Sequence, residues 1–202
     1  ADPDGASTDV AVFANNFINN VAVIEDVGAS PINAGGGLRL TAVHAQVLDN
    51  HFVGNKTCGV CSGTNNGGGL AVLPAIEADY VTSADNIVDG NTFSGNWGRM
   101  GSAAVIASNL FTVTNNVFAG NQATGPGASA LSVSVYLPPE ELRPAQVANN
   151  TLYNNSGGAA IAFDGWDESV SAVINNMVVS HTVGITTEQD LTVVQLDYNL
   201  FN

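Results

Sequence analysis

The chain has 202 residues, 45% of them apolar and only 7% aromatic, a size that suits one domain with a continuous buried core. Four Lys and Arg oppose eighteen Asp and Glu, for a formal charge of −14. That excess repels phosphate backbones and anionic lipid, so neither nucleic acid nor a membrane surface is expected as a partner. No run approaches the roughly 20 apolar residues of a membrane-spanning helix, so no membrane span is expected either. The charge reads as solubility in an extracellular setting or, alternatively, as carboxylates gathered for Ca²⁺. No signal-peptide pattern stands at Ala1, which reads as a mature product or an excised piece.

In chain order, one motif recurs. An Asn is followed two residues later by Phe at Asn15/Phe17, Asn50/Phe52, Asn91/Phe93 and Asn116/Phe118, and again at Asn199/Phe201. Asn150 and Asn176 carry Leu152 and Val178 in the same place. Three positions ahead of the anchors stand Val12, Val47, Val88, Val113, Val147, Val173 and Leu196. Five positions after come Asn20, Asn55, Asn96, Asn121, Asn155 and His181, preceded by Asn19, Gly54, Gly95, Gly120, Asn154 and Ser180. The anchors are spaced by 35, 41, 25, 34, 26 and 23 residues, short intervals being bare repeats and long ones repeats with loops.

The apolar pattern within each repeat alternates, as in Leu131-Ser132-Val133-Ser134-Val135, and lacks helical spacings of three and four. The unit is therefore a few short strands with Gly or Asn at the corners, where positive φ is least costly. Clusters of small residues such as Gly67-Gly68-Gly69-Leu70 and Gly157-Gly158-Ala159-Ala160-Ile161 open a further strand. These features predict an all-β, parallel β-solenoid of about seven coils with loop insertions, filling residues 1–202 as a single domain, to which the resemblance below adds a right-handed parallel β-helix. Stacking would turn the Phe column into a buried ladder and let Asn side chains hydrogen-bond from coil to coil.

The pairs Gly-Gly-(Gly/Ala)-(Leu/Ile) and Phe-x-x-Asn resemble the repeats of right-handed parallel β-helix proteins of the pectin-lyase-like group, most of all its polymorphic outer-membrane-protein and adhesin-like branch. Phe17/Asn20, Phe52/Asn55, Phe93/Asn96 and Phe118/Asn121 fit the second pattern, and Val178/His181 departs from it. The resemblance covers the whole chain and implies the fold. For function it implies lyases, hydrolases, adhesins or inert spacers alike.

Candidate chemistry is expected in the loops. Cys58 and Cys61 form a lone Cys-x-x-Cys, read as a local disulfide, as free thiols, or as half a zinc site that His44 and His51 together would complete. Asp164, Asp167 and Glu168 flank Trp166, which reads as a Ca²⁺ loop, a sugar-stacking platform or a solvated loop. The Pro138–Pro144 insertion reads as a projecting excursion.

A lyase would need a Lys or Arg beside a Ca²⁺-bound carboxylate, and Arg39, Lys56, Arg99 and Arg143 show no pattern that gathers them. A glycoside hydrolase would need paired carboxylates, and Asp49 and Asp89 fall in different registers. The expected function is a non-enzymatic extracellular or cell-surface β-helix, secreted or displayed, acting as a structural or adhesive module or filament-forming subunit. The alternative is a carbohydrate-active β-helix enzyme (polysaccharide lyase or glycoside hydrolase) using acidic loop residues. Neither end shows a capping segment, which suggests a section of a longer protein or end-to-end self-association; a surface or carbohydrate ligand is the other expected partner.

Overall fold

A computed structural model describes residues 8–22, 33–41, 43–57, 65–73, 76–77, 80–81, 85–108, 110–125, 127–135, 145–165, 170–187 and 193–202. No helix is found among them, and nearly all strands belong to parallel sheets. The first sheet has seven strands: Thr8–Phe13, Val43–Leu48, Asp85–Asp89, Leu110–Thr114, Ala145–Ala148, Val170–Ile174 and Val193–Asp197, neighbours in sequence order. The second also has seven, running Asn16–Ile18, His51–Val53, Thr92–Ser94, Val117–Ala119, Thr151–Tyr153, Met177–Val179 and Leu200–Phe201. A third holds six, from Leu38–Thr41 to Val183–Thr187, and a short fourth holds four, from Val21–Ala22 to Gln122–Ala123. The antiparallel pair Ile76–Glu77 and Tyr80–Val81 stands apart. Each pass of the chain thus contributes one strand to successive sheets and is covered by the next pass, an arrangement that fits a parallel β-helix.

Register follows the repeat columns without slippage. Phe17 opposes Phe52, Phe52 opposes Phe93, and Phe93 opposes Phe118. In the first sheet Val12, Val47, Val88, Val113, Val147 and Val173 form one row, and Leu196 follows. Strand side chains alternate between faces, so one column in two points inward. Phe52, Phe93, Phe118, Leu131, Ile161 and Val113 are fully buried there.

The rings of Phe17, Phe52, Phe93 and Phe118 stack with centroids 4.8–4.9 Å apart and planes within 7°. The spacing is that of parallel strands, so the backbone ladder sets the stack and the rings adopt an offset rather than face-on contact. Each buried ring contributes roughly 1.5–3 kcal/mol.

The corners explain which residues precede each Asn. Asn19, Gly54, Gly95, Gly120, Asn154 and Ser180 all have φ between 49° and 64°, in the left-handed region. The other corner, just before the anchor Asn, holds Ala14, Asp49, Gly90, Asn115, Asn149, Asn175 and Tyr198, again with positive φ. Ala14 and Tyr198 have no preference for that conformation, which costs a side-chain-bearing residue about 1–2 kcal/mol. They adopt it because their neighbours in the stack fix the backbone. At the third corner the passes come so close that a Cβ on Gly68 would lie 2.3 Å from the Ser102 carbonyl oxygen. Only glycine fits at position 68, whereas the next pass carries Ser102 at the same corner.

Phe118→Ala is expected to cost about 3–5 kcal/mol in chemical denaturation. Val117→Ala, whose side chain faces outward and is 40% exposed, should cost far less. Equal costs would mean that the assigned register is wrong by one residue.

Candidate functional site

Two features stand out once the sheets are in place: a pair of internal Asn ladders that run along the stack, and a groove on the outer face of the first sheet.

The first ladder runs Asn15, Asn50, Asn91, Asn116, Asn150, Asn176, Asn199, and the second Asn20, Asn55, Asn96, Asn121, Asn155. In each step Nδ2 donates to Oδ1 of the next Asn at 2.8–3.2 Å. The backbone N–H of the same residue donates to that oxygen too, as from Asn91 to Asn116 at 2.9 Å. The other Nδ2 proton goes back to a carbonyl of the preceding pass, as from Asn116 to Val88 at 2.9 Å. An interior rung therefore uses both amide protons and accepts twice at Oδ1, its full capacity. Burial of these side chains is tolerable because nothing polar is left unpaired.

The ladders have a direction. Every amide-to-amide bond within them points from the lower-numbered to the higher-numbered pass. Among the described residues nothing donates to Oδ1 of Asn15 or Asn20, and Asn199 donates only to the Val173 carbonyl. One end of the stack presents acceptors and the other presents donors. The apolar columns open at the same places: inward-facing Leu196 and Phe201 are 55% and 48% exposed, whereas Val173 and Val178 beneath them are buried.

The second ladder stops on His181. Asn155 Nδ2 lies 3.2 Å from His181 Nε2, so this nitrogen must accept and the proton sits on Nδ1. Nδ1 is buried and has no hydrogen-bond partner among the described residues. Desolvation by burial lowers the His181 pKa, because the charged ring loses water and gains no counter-charge. A hollow of about 260 Å³ lies beside it, lined by Val178, His181, Gly184, Phe201 and Asn202.

The groove, of about 580 Å³, spans successive strands of the first sheet. Asp9 opposes His44 directly. Ile87 opposes Gln46, which places Asp85 beside His44 on the following strand. The three side chains form one outward column, and Ala11, Gln46, Ile87 and Thr112 form the next. The Asp85 backbone N–H donates to His44 Nδ1 at 3.1 Å. Sequence reasoning considered His44 only as a partner for the cysteines. The signal was available: Asp9, His44 and Asp85 each stand six residues before an anchor Asn.

Most of the other sequence-derived metal and disulfide candidates fall outside the described residues. Cys58 and Cys61 lie outside the described residues, as do Asp167 and Glu168. Asp164 belongs to the strand Ala159–Gly165, opposite Ser134. Among the described residues no three His, Cys, Asp or Glu side chains are close enough to hold a metal ion. The Asp89 carboxylate accepts from Thr114 Oγ1 at 2.6 Å and Asn115 Nδ2 at 2.7 Å, while Asp49 sits at the corner one position further along. His51 and Arg39 are exposed on different sheets. No helix among the described residues is long and apolar enough to cross a membrane.

The chain matches no protein-family model, no curated protein and no solved structure. Its class is that of an all-β protein of stacked parallel strands, and the likeness to a particular β-helix branch rests on the repeat columns alone.

Two outcomes are expected from ladder variants. Asn116→Ala, which strands donors and acceptors on both neighbouring rungs, should destabilise by several kcal/mol at about 1–3 kcal/mol per unpaired group. Asn199→Ala, at the end, should cost clearly less in the same denaturation series. The second outcome concerns pH. The His181 pKa is lower in the folded than in the unfolded chain, so the unfolded state binds the proton more readily. Stability is then fully present above 6.5, the ordinary value for an imidazole in water, and is lost as pH falls through the folded value. His181→Asn should flatten that stretch of a stability-versus-pH curve.

Proposed function

We propose that the protein is a non-enzymatic structural module, a single right-handed parallel β-helix domain over residues 1–202 that acts outside the cell or on its surface as a stiff, stackable or adhesive element. The carrying observation is the single direction in which its Asn ladders run. Acceptors of Asn15 and Asn20 lie on the first described pass and donors of Asn199 on the last, where the core columns are half-exposed at Leu196 and Phe201. A second copy placed head to tail would continue the ladders in the direction they already run.

Such a contact is heterologous and repeats without closing, so its product is a filament rather than a dimer. The unpaired strand edges at each end supply backbone hydrogen bonds for the same contact. The acidic surface, at −14, keeps filaments apart laterally by like-charge repulsion while leaving the apolar ends free to meet.

Sedimentation velocity of the 202-residue chain is expected to show species that lengthen with concentration. Phe201→Glu should be monomeric by itself and, added in small amounts to the unaltered chain, should shorten its assemblies by capping their growing ends. A monodisperse monomer at all concentrations would refute the stacking function.

A further inference from the structure

The second ladder ends differently from the first. Asn20, Asn55, Asn96, Asn121 and Asn155 are followed on the sixth pass by a histidine, the one rung whose charge can change near neutral pH. We infer that His181 is an acid-sensitive latch: its neutral ring fastens the sixth pass to the fifth, and protonation loosens the sixth and seventh passes together with the end face on which a second copy would build. The consequence for assembly rests on the stacking reading given above; the cause is the geometry of one rung.

Asn155 fixes what His181 must do. Its Oδ1 already accepts from the Asn121 side chain at 2.8 Å and from the Asn121 backbone N–H at 2.9 Å. One Nδ2 proton goes to the Phe118 carbonyl at 2.9 Å, and the other points to His181 Nε2 at 3.2 Å. Turning the carboxamide over would break the first three bonds, so Asn155 can only donate to the ring. A neutral imidazole accepts at Nε2. A protonated one has an N–H on both nitrogens and sets a donor against a donor.

The surroundings offer the charged ring nothing in return. Nδ1 is buried without a partner among the described residues, so its proton is already unpaired in the neutral form. The adjoining hollow of about 260 Å³ is walled by Val178, Gly184 and Phe201. Of the strands Thr151–Tyr153, Met177–Val179, Val183–Thr187 and Leu200–Phe201, only the first carries a titratable side chain, Tyr153, which faces outward and is 52% exposed. On Ala159–Gly165 the charged residue is Asp164, one position past Phe163, which pairs with Thr187 at the far end of its strand. Asn202 closes the hollow, and its backbone oxygen accepts from the Ser180 N–H at 2.7 Å. Where the chain ends at this residue, an α-carboxylate there favours the protonated ring. Desolvation outweighs it, since the His181 pKa lies below its ordinary value.

Loosening stays local because a terminal pass has a neighbour on one side only. Val173 and Val178 on the sixth pass are buried, whereas Leu196 and Phe201 on the seventh are half exposed. The last passes can therefore open without the remainder of the stack. Opening solvates the ring, which then takes a proton as readily as a free imidazole. The opened population is constant above 6.5, grows about tenfold for each pH unit below it, and levels off once the folded value is passed.

The test follows dilute samples of the whole 202-residue chain between about pH 8 and pH 5 by residue-resolved amide hydrogen exchange and by NMR of the His181 ring, with sedimentation velocity on concentrated ones. Protection factors over Met177–Val179 and Leu200–Phe201 should fall about tenfold per pH unit below 6.5, while those over Thr92–Ser94 and Val117–Ala119 stay constant. Assemblies should shorten over the same window. In His181→Asn, which restores the residue found on the other passes, exchange and assembly should no longer depend on pH there. Two glycines appended after Asn202 remove the α-carboxylate and should extend the window to lower pH. The latch is overturned if His181 titrates at or above its ordinary value, if protection falls evenly along the stack, or if His181→Asn follows the same pH profile. Assemblies that persist while the last passes open overturn its control of assembly. A chain that opens as described and is monomeric at every pH refutes stacking and supports the latch.

Discussion

The whole structure depends on one repeated interaction: a buried Asn amide that gives a proton to the Asn of the next pass and another to the backbone of the pass before. The side chain is costly to bury alone, because each unpaired amide group forfeits about 1–3 kcal/mol. Stacked, it becomes a bolt joining three successive passes. Asn116, for example, holds the Val88 carbonyl on one side and the Asn150 carboxamide on the other. The Phe stack, the Val rows and the left-handed corners all lie within a few residues of these bolts. Their common spacing follows from the ladder. Even Ala14 and Tyr198, which have no affinity for positive φ, are held there by it.

Because the interior is so strongly specified, the outward columns are free to differ from pass to pass. That division separates structural from recognition surfaces. Inward positions repeat Val, Phe and Asn; outward positions of the first sheet read Asp9, His44, Asp85 and Leu110, then continue with other residues. The groove on this face is a local variation on an invariant frame, and its geometry is inherited from strand spacing rather than from any loop. The ends are the frame's other consequence. A ladder that runs one way must terminate in unlike faces, and unlike faces of one molecule can meet.

Much of the frame is legible in the sequence, and the reasons are physical. Asn and Phe two residues apart recur because the same slot is filled on each pass, so alignment of the repeats displays register directly. The corner before Asn20, Asn55 and Asn96 is legible because glycine and asparagine tolerate positive φ. The corner before the anchors is less so, since Ala14 and Tyr198 conceal it. The direction of the ladder is invisible in composition: identical amides could point either way, and only the position of the neighbouring carbonyls decides. The groove escaped notice because its column carries polar groups on only three passes and shows no period. The reactive-looking Cys58 and Cys61, like Asp167 and Glu168, stand outside the described residues, and Asp164 belongs to a strand of the third sheet.

The central claim is that the Asn ladders are continuous and run in one direction. Trans-hydrogen-bond scalar couplings in an isotopically labelled sample test it most directly. The account predicts couplings from Nδ2 of Asn50 to the side-chain carbonyl carbon of Asn91, from Asn91 to Asn116 and from Asn116 to Asn150. None should occur in the reverse sense, and these amide protons should exchange with water only slowly. Couplings in the opposite direction, or fast exchange at Asn91 and Asn116, would contradict it.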